Sequence, residues 1–329
     1  MATLYVTEPG ARIEKEYRRL LVTKDDEVLL RVPLRKLTAV VLVGRVGATT
    51  PALHALLAQG VPLWLVTRAG MLIGRLLPPT AAHVSLRQAQ YRRARDPHFA
   101  QDLARSIVSG KIRNQRVLVA RILRRRAWPA ARSVLTCLAQ AQAQAQQADS
   151  MRRLLGLEGR AAKRYFAVYR RALAPKWTFR KRTRRPPRDP VNALLSLGYT
   201  FLGHALMTAL EVVGLDPYLG FFHAQKYGRP ALALDLVEEF RAPVVDSLVL
   251  NVLNHRILRR EHFEDDGVRL TTRGLHIFLR QFSAKLDSTV KVRRLGRALS
   301  YRKLFEVQAR LLARRIRGDA EGYQPFRMR

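Results

Sequence analysis

Residues 220–241 read GFFHAQKYGRPALALDLVEEFR, and the side chains able to do chemistry crowd together there. His223 follows two phenylalanines, and Pro217 and Gly220 just before it argue for a turn. Further along, Asp235, Glu238 and Glu239 lie in ALALDLVEEFR, which has the periodicity of a helix. Steps of three and four residues put Asp235 on one face with both glutamates. Leu232, Leu236, Val237 and Phe240 supply an apolar face beside them. Carboxylates bordered by apolar residues are unfavourable unless a cation compensates them. With an imidazole alongside, they offer oxygen and nitrogen ligands to a hard or borderline divalent cation.

A second region fits the same idea. LLGLEGRAAKRYFAVYRRAL (154–173) reads as a basic helix carrying Glu158, the single acid between Asp149 and Asp189. Ala162 and Tyr165 fall on the same face, where a small alanine would let another helix approach and bring Glu158 towards His223 and Glu238. Alone, Glu158 would be helix decoration and His223 a satisfied core residue. Together, in a basic protein, they suggest a metal held against a phosphodiester. Tyr165 has two readings: it orients a ligand or touches nucleic acid, or it packs with its phenol hydrogen-bonded.

The rest of the chain sets the context. In 329 residues, 60 Lys and Arg face 25 Asp and Glu, a net charge of +35 spread along the whole length. A polyanion is the natural partner for that charge, nucleic acid first and an anionic membrane surface second. Hydrophobic residues at 48% support a real core. No apolar run reaches the ~18 residues of a spanning segment, so no membrane helix is expected. The N-terminus lacks a signal-peptide pattern, and a cytoplasmic location is expected. A single cysteine, Cys137, excludes an internal disulfide and a thiolate zinc cluster. It is expected to be a small buried hydrophobe.

Two periodicities divide the elements that must position these residues. Up to about residue 80 the pattern is β-rich. A hairpin is expected around Lys24–Glu27, further strands in LTAVVLVG and VPLWLVTRAGMLIGRLL, and a short helix in TTPALHALLAQG capped by Thr50. From His83 onward long helices are expected, near 97–126, 129–147 and 149–173. KWTFRKRTRRPPR (176–188), with seven positive charges and no negative one, reads as a loop. It is either a phosphate clamp, with Trp177 and Phe179 free to stack on bases, or a solvated segment. The C-terminal GDAEGYQPFRMR reads as flexible.

LEGRAAKRYF, NALLSLGYTFL, GLDPYLGFFHAQKYGRPALALDLVEEFRAPVVD and VVLVGRVGATTPALHALLAQGVPLWLVTRAGMLIGRL together resemble the CRISPR-associated protein one family, the CRISPR-adaptation endonuclease and integrase. The resemblance covers nearly the whole chain. It implies an α+β two-domain fold, with a small β-rich N-terminal domain over 1–85, a dimer platform, and a larger all-α catalytic domain over 86–329. It implies Mg²⁺ or Mn²⁺ held by Glu158, His223 and Glu238. Asp235 matches an acidic position close to the site, as a support or an alternative ligand, and Glu239 is expected at the surface or paired with cations. Implied partners are double-stranded DNA, a second copy of the chain, and the small companion subunit CRISPR-associated protein two. The implied reaction joins a 3′-hydroxyl of captured DNA to a CRISPR repeat. Lys226 and Arg229 are then the candidate contacts near the scissile phosphate, with Arg182, Arg184 and Arg185 as further DNA contacts. Two rival readings are a stand-alone metal-dependent nuclease on branched DNA and a non-catalytic DNA-binding scaffold.

Overall fold

The computed structural model describes residues 2–78, 83–125, 128, 132–183, 186–292 and 296–328. Strands come first: β1 (Ala2–Val6), β2 (Arg12–Glu16), β3 (Arg19–Lys24), β4 (Glu27–Pro33), β5 (Leu37–Val43), β6 (Gly47–Ala48), then helix α1 (Thr50–Ala58) and strands β7 (Leu63–Val66) and β8 (Leu72–Leu76). They form two four-stranded sheets, ordered β1-β5-β7-β8 and β4-β3-β2-β6. The β3–β4 hairpin turns on Asp25 and Asp26, both at positive φ, the sign pattern of a tight type I′ turn. Ile13, Leu20, Val40 and Leu56 form the centre of the core these sheets enclose. The cap of α1 is Thr49 rather than Thr50: its side chain accepts from the Ala52 amide, which leaves Pro51 in the first turn.

Helices α2 (Val84–Ala94), α3 (Pro97–Arg125), α4 (Arg132–Gln146), α5 (Met151–Ala172), α6 (Pro190–Val213), α7 (Ala231–Phe240) and α8 (Ser247–Asn254) follow. After them come α9 (Thr272–Asp287), the antiparallel pair β9 (Thr289–Val292) and β10 (Arg297–Ser300), and α10 (Tyr301–Arg317). Residues 129–131, expected to open a helix, lie outside the described residues. The chain divides into two compact units, one of residues 1–81 with 258–287 and one of 82–257 with 288–329. Thus α9 groups with the β-rich unit, which a single cut near residue 85 does not allow for. The mixed α+β arrangement is the one read from the sequence, but the part after residue 85 is not all-α, because β9 and β10 pair within it.

Two features of the helical unit bear on the site. Helix α6 starts at Asp189, whose carboxylate accepts from the Asn192 amide at 2.8 Å, and ends at Gly214 in the left-handed region. Contrary to the expectation of no such segment, α6 is long and apolar enough to cross a membrane by length and composition; 56% of that window is buried inside the protein, as a central core helix requires. Helix α7 runs straight into a π-helical turn, Arg241–Asp246, containing Pro243. Proline has no N–H for the carbonyl four residues back and its ring pushes that carbonyl away, so the ladder widens at this point. The Glu239 carbonyl freed by Pro243 is taken up by the Asn114 amide group at 2.8 Å.

Candidate active site

Five segments of the helical unit supply the site: Lys111 from the middle of α3, Glu158 from α5, His223 from the loop after α6, Asp235 and Glu238 from α7, and Arg241 from the π turn. Glu158, His223 and Glu238, far apart in sequence, do come together. The Lys111 ammonium donates to Glu158 Oε1 and lies 2.5 Å from Glu238 Oε2. Arg241 Nη2 stands 3.1 Å from Glu238 Oε1, and His223 Nε2 3.6 Å from the same oxygen. Burial opposes ionisation of Glu238, yet the charges of Arg241, Lys111 and His223 outweigh it and hold this carboxyl at about 2. It is therefore a permanent anion. Among the described residues no group of three or more His, Cys, Asp or Glu is disposed to hold a metal ion; the lysine ammonium sits between the two carboxylates.

Asp235 is fully buried and has no lone pair left for a ligand. Its Oδ2 accepts from the amides of Phe221 (2.7 Å) and Phe222 (3.1 Å), and its Oδ1 from the amide of His223 (2.9 Å) and lies 2.8 Å from His223 Nδ1. A carboxylate only accepts, so Nδ1 carries a proton, and in the neutral imidazole Nε2 is the nitrogen left with the lone pair. At 3.6 Å that nitrogen makes no hydrogen bond to Glu238. A carboxylate behind a histidine, fixing its tautomer, is the usual support of a metal-binding imidazole. The donor types, two carboxylates and an oriented imidazole, are those a divalent cation takes, while the Lys111 ammonium occupies the space between the acids.

Behind the site lies a buried polar knot that the sequence did not announce. Asp246, at the end of the π turn, accepts from Tyr165 at 2.6 Å and from Tyr199, while its carbonyl accepts from Tyr169 at 3.0 Å. Burial raises the Asp246 carboxyl, and it lifts the three phenols far above their ordinary range. Arg241 lies over the Tyr199 ring, 4.5 Å from its centroid, so the knot connects directly to the guanidinium on Glu238. Tyr165 is fully buried, which removes it as a DNA contact and leaves the packing role.

The expected basic contacts divide. Lys226 is exposed and Arg229 half-buried in a tight turn closed by the Arg229 amide on the Lys226 carbonyl at 3.0 Å, with Tyr227 fully exposed at its tip. Arg182 instead ties its loop to α6, donating to Asn192 Oδ1 at 2.8 Å and Ser196 Oγ at 2.9 Å. Arg184 and Arg185 lie outside the described residues. Trp177 and Phe179 are buried, so neither is free to stack on bases. Cys137 is exposed, not buried. Glu239 is fully buried, without a cation, and accepts from Tyr323, Gln308 and the Phe326 amide. The residues that reading the sequence missed, Lys111 and Arg241, gave no signal: each is one base among 60.

Comparison with known proteins decides the family. The model of the family described as CRISPR associated protein Cas1 matches residues 4–284. The chain belongs to the Cas1 family. The CRISPR-associated endonuclease Cas1 3 of Thermus thermophilus is 37% identical over 100% of this chain and 98% of its own length. Among solved structures, one titled as a Cas6-RT-Cas1--Cas2 complex matches with a TM-score of 0.84 and 27% identity, over 99% of this chain and 36% of that one. A casposase bound to integration product matches with a TM-score of 0.85 and 20% identity, over 98% and 93%, a likeness of fold. As a Cas1 family member the chain is similar to named endonucleases along its full length.

Proposed function

We propose that this Cas1 family protein is a spacer-acquisition integrase. It joins the 3′-hydroxyl ends of a captured DNA duplex to a CRISPR repeat by metal-dependent transesterification. The observation that carries this reading is the convergence of Glu158, His223 and Glu238 around a buried cationic centre, in a chain of net charge +35. Glu158, His223 and Glu238 would hold Mg²⁺ or Mn²⁺, the imidazole favouring Mn²⁺ since Mg²⁺ prefers oxygen shells. When bound, the ion supplies Lewis-acid polarisation of the phosphoryl group and a lowered pKa for the attacking hydroxyl.

The chain's own residues do the rest. Asp235 keeps the His223 lone pair aimed at the site. Lys111 and Arg241 keep Glu238 ionised and hold positive charge beside the position where negative charge builds on phosphorus. Lys226 and Arg229, on the turn three to six residues beyond the imidazole, grip the phosphates flanking the scissile one. One phosphodiester is made as another is broken, so no external energy source is required. The partners in this reading are double-stranded DNA, a second copy of the chain, and Cas2, the last supported by the Cas1–Cas2 assembly named for a 27% identical structure.

The test is strand transfer of a labelled duplex into supercoiled repeat DNA, with Mn²⁺ or Mg²⁺ and with or without Cas2. Label enters the target with the wild type and not with Glu158→Ala, His223→Ala or Glu238→Ala. Metal-dependent cutting without joining would point to the stand-alone nuclease instead. Unchanged activity in all three variants would mean the carboxylates are structural.

A further inference from the structure

The C-terminal stretch GDAEGYQPFRMR has the composition of a loose tail, yet it is built into the molecule. Tyr323, Phe326 and Met328 are buried, and polar contacts, not only apolar cover, fix the segment. Tyr323 Oη donates to Glu239 Oε1 at 2.6 Å, and the Phe326 amide to Glu239 Oε2 at 2.8 Å. Gln308 on α10 completes the set, its amide 3.1 Å from Glu239 Oε2 and 3.2 Å from the Gln324 carbonyl. Two of the three donors to this buried carboxylate thus come from the tail.

Asn114 on α3 is the second clasp. Its amide nitrogen donates to the Glu239 carbonyl at 2.8 Å and to the Phe326 carbonyl at 2.9 Å, while its oxygen accepts from the Met328 amide at 2.7 Å. One side chain therefore ties α3, α7 and the tail together where Pro243 has opened the helical ladder. The Phe326 ring stacks on Phe240, 5.3 Å between centroids and 8° between planes. Pro325 passes so close to α3 that a Cβ on Gly110 would lie 2.6 Å from its ring carbons.

These anchors are sequence neighbours of the site. Gly110 precedes Lys111, and Glu239 follows Glu238. We propose that Tyr323–Met328 is a positioning strap for the catalytic centre, fixing α3 against α7 through Asn114 and Glu239 and so setting where Lys111 and Glu238 stand. A tail serving only to cover apolar surface has no use for a buried carboxylate with tail-borne donors, which is unfavourable unless every donor is in place. Positioning at this level matters, because a displacement of about 1 Å at a reacting centre costs on the order of 100-fold in rate.

The inference rests on the site assignment above, and two full-length variants separate the two. Gly110→Ala pushes Pro325 off α3 while improving the intrinsic helix propensity of α3. Tyr323→Phe removes the hydroxyl that donates to Glu239 and accepts from Gln308 at 3.1 Å, and keeps the ring. In both, hydrogen exchange at the Phe326 and Met328 amides should speed up, reporting strap release. Strand-transfer kcat should fall about 10- to 100-fold with KM for DNA unchanged. Binding of Mn²⁺ alone, followed by its electron paramagnetic resonance signal, should weaken, and exchange should rise over residues 108–114 and 235–241. Wild-type kcat and Mn²⁺ affinity in variants whose tail amides exchange freely would overturn the strap. Where Gly110→Ala fails to fold, Tyr323→Phe carries the same comparison. Full activity in Glu238→Ala would instead overturn the site assignment, and the exchange over 108–114 and 235–241 would still decide whether the tail supports these helices.

Discussion

Asp235 and Lys111 sit on either side of the same problem, how to accommodate carboxylates inside the protein. Asp235 solves it with four hydrogen-bond partners. In Asp235→Asn, either amide orientation turns an NH₂ group towards donors. The expected result is a stability loss of about 1–3 kcal/mol and a roughly 10- to 100-fold drop in strand transfer, read by denaturant unfolding and the integration assay. Lys111 solves it with charge. Lys111→Met leaves Glu158 without its ammonium partner and Glu238 with Arg241 alone, a loss of about 1–3 kcal/mol. Added Mn²⁺ should return much of it, so the melting temperature of this variant should rise with the ion far more than that of the wild type.

Neighbours on one helix titrate in opposite senses. Glu238, depressed to about 2, contributes stability above its unfolded value near 4.5 that is lost as pH falls towards 2. Glu239, raised by burial to about 7 against the hydrogen bonds of Tyr323, Phe326 and Gln308, behaves the other way. The folded chain binds the extra proton between 4.5 and 7, so stability falls as pH rises through that window. At about 1.4 kcal/mol per pKa unit the fall is about 3 kcal/mol. Denaturation midpoints across pH 4.5–8 should show it in the wild type and not in Glu239→Gln.

At the scale of the element, the site depends on how helices begin, break and end. Asp189 caps α6 by accepting from both the backbone amide (2.8 Å) and the side-chain amide (2.6 Å) of Asn192. Asp189→Ala should cost about 1–2 kcal/mol in chemical denaturation. The Lys24–Glu27 turn and the start of the TTPALHALLAQG helix were legible in advance, because each acts through its own backbone chemistry; the α6 cap was not read. The carboxylates and His223 stood out for a similar reason, as scarce acids and an imidazole in a basic, apolar setting. What could not be read is how segments meet. The aromatics of 176–188 look available beside seven charges, yet Trp177 and Phe179 turn inward. Glu239 looks like surface, yet the tail covers it. Pro243 is visible in the sequence, but that Asn114, 125 residues away from Glu239, satisfies the freed carbonyl depends on tertiary packing alone.

For the molecule as a whole, the charge excess decides the energetics of assembly. Under the proposed function, holding a captured fragment and a target repeat together would require many phosphate contacts. If about ten are neutralised, log affinity should fall with log salt at a slope of about −9. Fluorescence anisotropy between 50 and 300 mM salt would measure it, and a slope shallower than about −4 would mean that most of the positive surface never touches DNA. The order of synthesis adds one more consequence. Tyr323 emerges from the ribosome 84 residues after Glu239. Throughout that interval the chain already carries Glu158, His223 and Glu238, but Glu239 has no hydroxyl to receive. A chain broken before Tyr323 would therefore carry Glu158, His223 and Glu238 on an unbraced helix, and under the proposed strap such a fragment is expected to be the form least able to act on DNA.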